Sequence, residues 1–70
     1  MVEVFKTNVQ EVNDANRVLA LLLKRFPTYQ INFDLEDCDK ILRVAGNDIF
    51  AHEIKGIVVN HGFECTDLVD

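Results

Sequence analysis

The 70-residue sequence contains no tryptophan, one proline, three glycines and two cysteines. The glycines stand apart, so the chain lacks the glycine-rich loops that cradle phosphate groups. No apolar run approaches the roughly 18 residues that cross a membrane, and the N-terminus lacks the basic and apolar regions of a signal peptide. The length predicts a single domain over residues 1–70. The absence of a membrane span and of a signal peptide predicts that it lies in the cytoplasm, away from membranes.

Positive charge is also scarce. The sequence has 7 lysines and arginines against 12 aspartates and glutamates, for a net charge of -5. An acidic surface repels phosphate backbones and anionic lipids, so nucleic acid and membranes are not expected as partners. Cys38 and Cys65 are too far apart for a short metal-binding motif, and are predicted to be free thiols in a reducing compartment.

Periodicity predicts three main strands and two helices. Alternating apolar and polar residues indicate strands at Val2–Asn8, Tyr29–Leu35 and Lys40–Ala45, with a short edge strand within Phe63–Val69. Apolar residues at helical spacing predict a first helix that starts with Asn13 as its N-cap and stops before Pro27.

The second helix is predicted to follow Gly46-Asn47-Asp48, which should close the third strand and cap the helix. Its apolar stripe begins at Ala51, and Gly62 stands where a left-handed residue ends many helices. The predicted order is β-α-β-β-α, with a possible final β. The right-handed crossover rule then makes the first two strands parallel. The expected fold class is α+β: a ferredoxin-like sandwich with two helices on one face of a small antiparallel-containing sheet.

Several spaced features resemble the heavy-metal-associated domain family, to which small copper chaperones belong. Phe5 and Thr7 match core positions of the family's first strand, and Val9 stands where a buried methionine would be. The resemblance covers nearly the whole chain and implies the same fold. Further matches are Ala15, Val18, Phe33-Asp34-Leu35, Gly46 and Gly62-Phe63-Glu64.

The departure from the family falls on its chemistry. The family binds Cu(I) or similar soft ions through the two thiolates of a Cys-x-x-Cys motif, because soft metals prefer sulfur. Here Glu11 and Asp14 occupy those two positions. Two carboxylates are a poor match for a soft ion, so the resemblance implies the scaffold without the soft-metal site.

The predicted topology brings several polar loops to one end of the sheet. A rim there is expected to hold acidic residues, a thiol and an imidazole, a set that suits a borderline or hard divalent cation. In this alternative interpretation the metal ligands are Glu11, Asp14, His61 and Cys38, and the only cofactor is a divalent ion. Asp37 and Asp39 are expected on the same rim. The competing interpretation is that these are unconnected, solvated loop residues.

The sequence favours a non-catalytic function. A small open sandwich offers no cleft that excludes water, so no enzyme activity and no catalytic residue are expected. Ile41 on the outward side of the third strand and Val59 beside the second helix are candidate parts of a contact surface for a protein partner or a homodimer. Gly56 inside that helix is either a tolerated surface glycine or a point of close approach.

Overall fold

The computed structural model describes residues 1–68 of the chain, which form six elements in the order β-α-β-β-α-β. The predicted order is therefore confirmed, although the predicted end of the fourth strand, Val69, lies outside the described residues. The elements are β1 (Val2–Thr7), α1 (Val12–Arg25), β2 (Gln30–Asp34), β3 (Ile41–Ala45), α2 (Ala51–Asn60) and β4 (Cys65–Asp67).

The four strands form one sheet in the order β2-β3-β1-β4. Every neighbouring pair is antiparallel, so β1 and β2 are parallel to each other with β3 between them. This arrangement confirms the α+β, ferredoxin-like sandwich. Neither helix within residues 1–68 has the length and the apolar content that crossing a membrane requires.

The core lies between the helices and one face of the sheet. Phe5 of β1 and Leu42 of β3 are paired in register and have no exposed surface. Leu22 of α1 and Ile54 of α2 are equally buried and belong to the same cluster. Burying side chains of this size is worth about 1.5–3 kcal/mol each, and this burial supplies most of what holds the helices on the sheet.

Both helices begin at a residue other than the predicted one. The N-cap of α1 is Glu11, not Asn13, because the Glu11 carbonyl already accepts the N–H of Ala15 at 3.0 Å. The N-cap of α2 is Phe50, so the predicted cap at Gly46-Asn47-Asp48 is wrong as well. In both cases main-chain hydrogen bonding fixes the start of the helix without a polar capping side chain, which a capping rule based on residue type cannot detect.

Ile41 also departs from its expected exposure. It lies on the outward side of β3 as predicted, yet only 4 % of its surface is exposed. Asp37 and Asp39 of the β2–β3 turn line the same shallow depression as Ile41, together with residues of β1 and β4. Ile41 is therefore not part of an exposed contact surface, whereas Val59 is 54 % exposed.

Candidate functional site

The β1–α1 connection lies at one end of the sandwich, together with the β2–β3 turn and the segment after α2. The Thr7 N–H donates to the carbonyl of Asp39 at 3.1 Å, and the Thr7 hydroxyl donates to the carbonyl of Lys40. The Glu64 N–H donates to Oδ1 of Asn8 at 2.8 Å. These bonds join the three segments, as predicted, into what we call the loop end, residues 8–14, 36–40 and 61–64.

The predicted ligands at the loop end have different surroundings. Glu11 is exposed at the start of α1, and Asp14 forms an ion pair with Arg17 one turn further along the helix. His61 is exposed, and its Nδ1 lies 2.9 Å from the carbonyl of Ile57, to which the protonated nitrogen donates. Asp14 and His61 are therefore each held by a neighbour within their own helical segment.

The structure brings together a different group of possible ligands. Among residues 1–68, ligand atoms from at least three acidic, cysteine or histidine side chains lie within 4.8 Å of one another only at Asp37, Cys38 and Asp39. Of the four predicted ligands, this group contains Cys38 alone. Asp37 also accepts the N–H of Asp39 at 2.9 Å, and Asp39 lies 3.5 Å from Lys6 Nζ.

The two thiols have opposite environments. Cys38 is exposed in the β2–β3 turn, whereas Cys65 is buried in β4, and both are free. Burial raises the pKa of the Cys65 thiol to about 11; the charge of Lys55 lowers it and that of Asp67 raises it to smaller extents. Cys65 is thus a small core residue with a free thiol, and it stays protonated at neutral pH.

An aromatic stack lies at the opposite end of the molecule. The rings of Phe26 and Tyr29 are stacked with centroids 4.7 Å apart, and Phe50 lies against Phe26 at 6.3 Å. The guanidinium of Arg25 sits 4.7 Å above the Phe26 ring and also binds the carboxylate of Glu53. Phe50 ends the stack with 55 % of its surface exposed.

This aromatic end, defined by Arg25, Phe26, Tyr29 and Phe50, borders a shallow groove of about 660 Å³. Sequence reasoning missed it, although a signal is present. The α1–β2 and β3–α2 connections, which the predicted topology places at the same end, hold three of the six phenylalanine and tyrosine residues. The groove is lined further by Met1, Val2, Pro27, Thr28, Gln30, Ala45, Gly46, Asn47 and Asp48.

Comparisons with models of known families, with curated proteins and with solved structures each gave no match. A function can therefore be inferred only from the geometry of the two ends of the molecule. The loop end offers carboxylates and one exposed thiol, whereas the aromatic end offers a wide exposed ring on a rigid base. Such a ring is suited to contact with another apolar surface and not to chemistry.

Proposed function

We propose that this chain is a non-catalytic protein-interaction module of the cytoplasm, built on a scaffold like that of the heavy-metal-associated domain, from which the soft-metal thiolate site has been lost. The observation that carries the proposal is the exposure of Phe50 on top of a stacked aromatic base. Aromatic and arginine side chains are the residues that most often dominate the energy of protein interfaces. The aromatic end presents both.

The base beneath Phe50 is rigid. Tyr29 is buried, stacks on Phe26, and its hydroxyl accepts the N–H of Phe50 at 3.2 Å. Because the main chain of Phe50 is held in this way, only its side chain loses conformational freedom when a partner covers it, and this lowers the entropic cost of binding. The ion pair between Arg25 and Glu53 flanks the apolar surface with charge, as is usual at the rim of an interface.

The loop end supports the loss of the soft-metal site. Val9, at the position of the family's buried methionine, is fully buried, and Ala15 and Val18 face the core as the family pattern requires. The two positions that carry thiolates in the family are Glu11 and Asp14. The Asp14 carboxylate is bound to Arg17, and the thiols of this chain lie elsewhere, in the β2–β3 turn and in β4. These placements support a scaffold like that of the family without the paired thiolates that bind its metal.

A quantitative affinity capture tests the proposal. Tagged wild-type chain, Phe50→Ala and Val59→Ala are incubated with native lysate, and bound proteins are compared by mass spectrometry. Val59 is 54 % exposed on α2, away from the groove at the aromatic end, so it is the matched control and also tests the contact surface that the sequence suggests there. We expect a partner that the wild type and Val59→Ala retain, and that Phe50→Ala captures at least about tenfold less. Equal recovery by all three chains would contradict the role of Phe50.

A second candidate function is binding of a divalent cation at the loop end by a ligand set other than the paired thiolates of the family. The observation that favours it is the closeness of the Asp37 and Asp39 carboxylates to the Cys38 thiol. Oxygen ligands with one sulfur suit a borderline ion such as Zn(II) better than Cu(I). The predicted ligands Glu11, Asp14 and His61 belong to the same end and are the next candidates.

Titration with Zn(II), Mn(II), Ca(II) and Cu(I), followed by backbone amide NMR signals, separates the two functions. Metal binding is expected to change signals at residues 37–39 or at Glu11, Asp14 and His61 at stoichiometric metal, and Cys38→Ala should weaken the response. Signals that stay unchanged at the loop end rule out the metal function and leave the interaction module untouched.

A further inference from the structure

Strand β2 is an outer strand of the sheet, and its free edge lacks the features that usually prevent another strand from pairing with it. Within residues 1–68 it pairs only with β3, through five consecutive residue pairs from Gln30↔Ala45 to Asp34↔Ile41. Natural proteins protect such edges with lysine, proline, bulges or very short strands. The β2 sequence contains neither lysine nor proline, and its pairing has no bulge. Its outward main-chain groups form a template for another strand.

The other outer strand, β4, is shorter than β2 and carries a charged pair. β4 has three residues, and its Asp67 carboxylate is held by Lys55 Nζ at 2.9 Å. A charged pair at a short edge discourages strand addition. The two edges of one sheet are thus unequal, and any association through main-chain hydrogen bonds is directed to β2.

We propose that the partner at this edge is a second copy of this chain, whose β2 pairs antiparallel with the first about a two-fold axis at Asn32. The five residues Gln30–Asp34 alternate polar, apolar, polar, apolar, polar. In this register each Asn32 faces the Asn32 of the other copy, Ile31 faces Phe33, and Gln30 faces Asp34. The strand is therefore complementary to itself.

The main-chain geometry agrees with this register. In an antiparallel ladder, alternate residues direct their N–H and C=O groups to one side of the strand. The register joins Gln30 with Asp34, Ile31 with Phe33 and Asn32 with itself, so residues of the same parity always meet. The residues whose N–H and C=O groups point outward in one copy, whether even-numbered or odd-numbered, therefore lie opposite the same set of residues of the other copy, and hydrogen bonds form between them.

The side chains agree as well. Ile31 and Phe33 lie on the helix side of the sheet, since their β3 partners are the core residues Val44 and Leu42. Across the two-fold axis they form two aromatic–aliphatic pairs, of the kind that stabilises neighbouring strands. On the open face the amide of Gln30 can donate to the Asp34 carboxylate, and the two Asn32 amides can donate to each other. No two like charges stand directly opposite.

A second, independent feature lies at the same edge. Val12, Asn16, Leu19 and Leu23 follow the spacing i, i+4, i+7, i+11, and so form one uncharged stripe along α1. Val12 is 65 % exposed and Leu23 39 % exposed. The first three of these residues line a groove of about 570 Å³ together with Phe33 and Leu35 beside β2. We call these four α1 residues the α1 stripe.

Pairing of the two β2 strands brings the two α1 helices next to each other on the same face of an eight-stranded sheet. The α1 stripes then face each other across the two-fold axis and are removed from water. This gives the apolar residues of the α1 stripe a partner surface, which the monomer lacks. Because the stripe carries no charge, it also brings two chains of net charge -5 together where their surfaces repel least.

Sedimentation equilibrium on the purified full chain, from about 10 μM to 1 mM, tests the proposal through mass action. The expected mass rises from 8.0 kDa for one chain toward twice that value. Asn32→Lys and Asn32→Asp each place like charges opposite each other, so each variant alone should dissociate at least about tenfold more easily. An equimolar mixture of the two should recover the dimer, since lysine then faces aspartate.

Thr66→Lys is the matched control, because Thr66 is an exposed residue of the other outer strand and should leave the dimer unchanged. Asn32 is itself exposed, so its variants are expected to fold, and circular dichroism checks this. A wild-type chain that stays monomeric at 1 mM overturns the proposal, as does a dimer that all Asn32 variants leave intact. Neither result bears on the aromatic end, which the capture experiment with Phe50→Ala tests separately.

Discussion

The hydroxyl of Tyr29 donates a hydrogen bond to the main-chain carbonyl of Asp48. The same oxygen accepts the N–H of Phe50 at 3.2 Å. One side chain thereby joins the α1–β2 connection to the loop that precedes α2 and holds the main chain at Phe50. The stability of the molecule and its proposed contact surface depend on the same residue.

Replacing Tyr29 by phenylalanine should destabilise the protein by about 1–2 kcal/mol, because two main-chain groups lose their partner in a partly buried place. The ring stacking on Phe26 is retained in this variant, so the change isolates the hydroxyl. Urea denaturation followed by circular dichroism measures the difference. Tyr29→Leu removes the ring as well and should cost more. A Tyr29→Phe variant as stable as wild type would show that water replaces the hydroxyl at no cost.

Gly46 and Gly56 are predicted to respond to alanine in opposite directions. A Cβ at Gly46 would lie 2.8 Å from Cδ1 of Tyr29, whereas a Cβ at Gly56 would have no atom within 4 Å. Gly46→Ala must displace the tyrosine ring and should cost about 1–3 kcal/mol. Gly56→Ala lies inside α2 and should gain about 1 kcal/mol.

The same denaturation measurement compares the two glycine variants, each of which is the other's control. Equal effects at both positions would mean that the Tyr29 ring can move away without loss. The open surroundings of Gly56 also answer a question that the sequence raises. The glycine is a tolerated surface residue of α2, with no other element of residues 1–68 approaching it closely.

The sequence was sufficient to predict the order of elements, which depends on local periodicity, and the fold class, which follows from that order and the crossover rule. Strand alternation at Tyr29–Leu35 and helical spacing after Asn13 are strong signals that tertiary contacts did not override. The helix starts were mispredicted because Glu11 and Phe50 act through their main chains. The burial of Ile41 was missed because it depends on residues from other segments that line the same depression, which strand alternation does not reveal.

The candidate sites, like the fold, could be predicted from the sequence only in part. The loop end could be predicted from topology, since strand direction alone determines which connections share an end. The contacts among its side chains could not be predicted. The ion pair of Asp14 with Arg17 and the grouping of Asp37 with Cys38 depend on which rotamers these side chains adopt. The aromatic stack was missed because Phe50 contacts Phe26 from far along the chain, and periodicity carries no information on such contacts.

Thr7, the last residue of β1, joins that strand to the loop end, and its replacement should lower stability clearly. Its hydroxyl donates to the carbonyl of Lys40 and accepts the N–H of Val9 at 3.2 Å, and the side chain is buried. Thr7→Val keeps the volume but leaves both main-chain groups without that partner, at an expected cost of about 1–3 kcal/mol. Thr66→Val, at an exposed position of β4, is the control and should change stability by less than about 0.5 kcal/mol.

Thermal and urea unfolding of the two threonine variants give the comparison. Amide signals of residues 37–40 should shift in Thr7→Val, because the bond to Lys40 holds the β2–β3 turn against the end of β1. If Thr7→Val and Thr66→Val were equally mild, the main-chain bond from Thr7 to Asp39 would be enough to hold the turn.

Cys65 should make stability decrease at alkaline pH. Burial raises its pKa from the ordinary value of 9.0 to about 11 in the folded protein. Below pH 9 the thiol is protonated in both the folded and the unfolded chain, and its contribution to the free energy of unfolding is complete. Between pH 9 and 11 the unfolded chain loses the proton and the folded chain keeps it, so the free energy of unfolding falls with rising pH, by about 2–3 kcal/mol in total.

The measurement is urea unfolding at steps from pH 8 to 11, on wild type, Cys65→Ala and Cys38→Ala. Each variant differs from wild type at one thiol only, so the informative quantity is the difference between the wild-type curve and each variant curve. Because Cys65→Ala removes the titrating group, its stability should fall less steeply than that of wild type above pH 9, whereas Cys38→Ala, at an exposed thiol, should follow wild type. Parallel curves for wild type and Cys65→Ala would mean that the thiol ionises as easily in the folded core as in the unfolded chain.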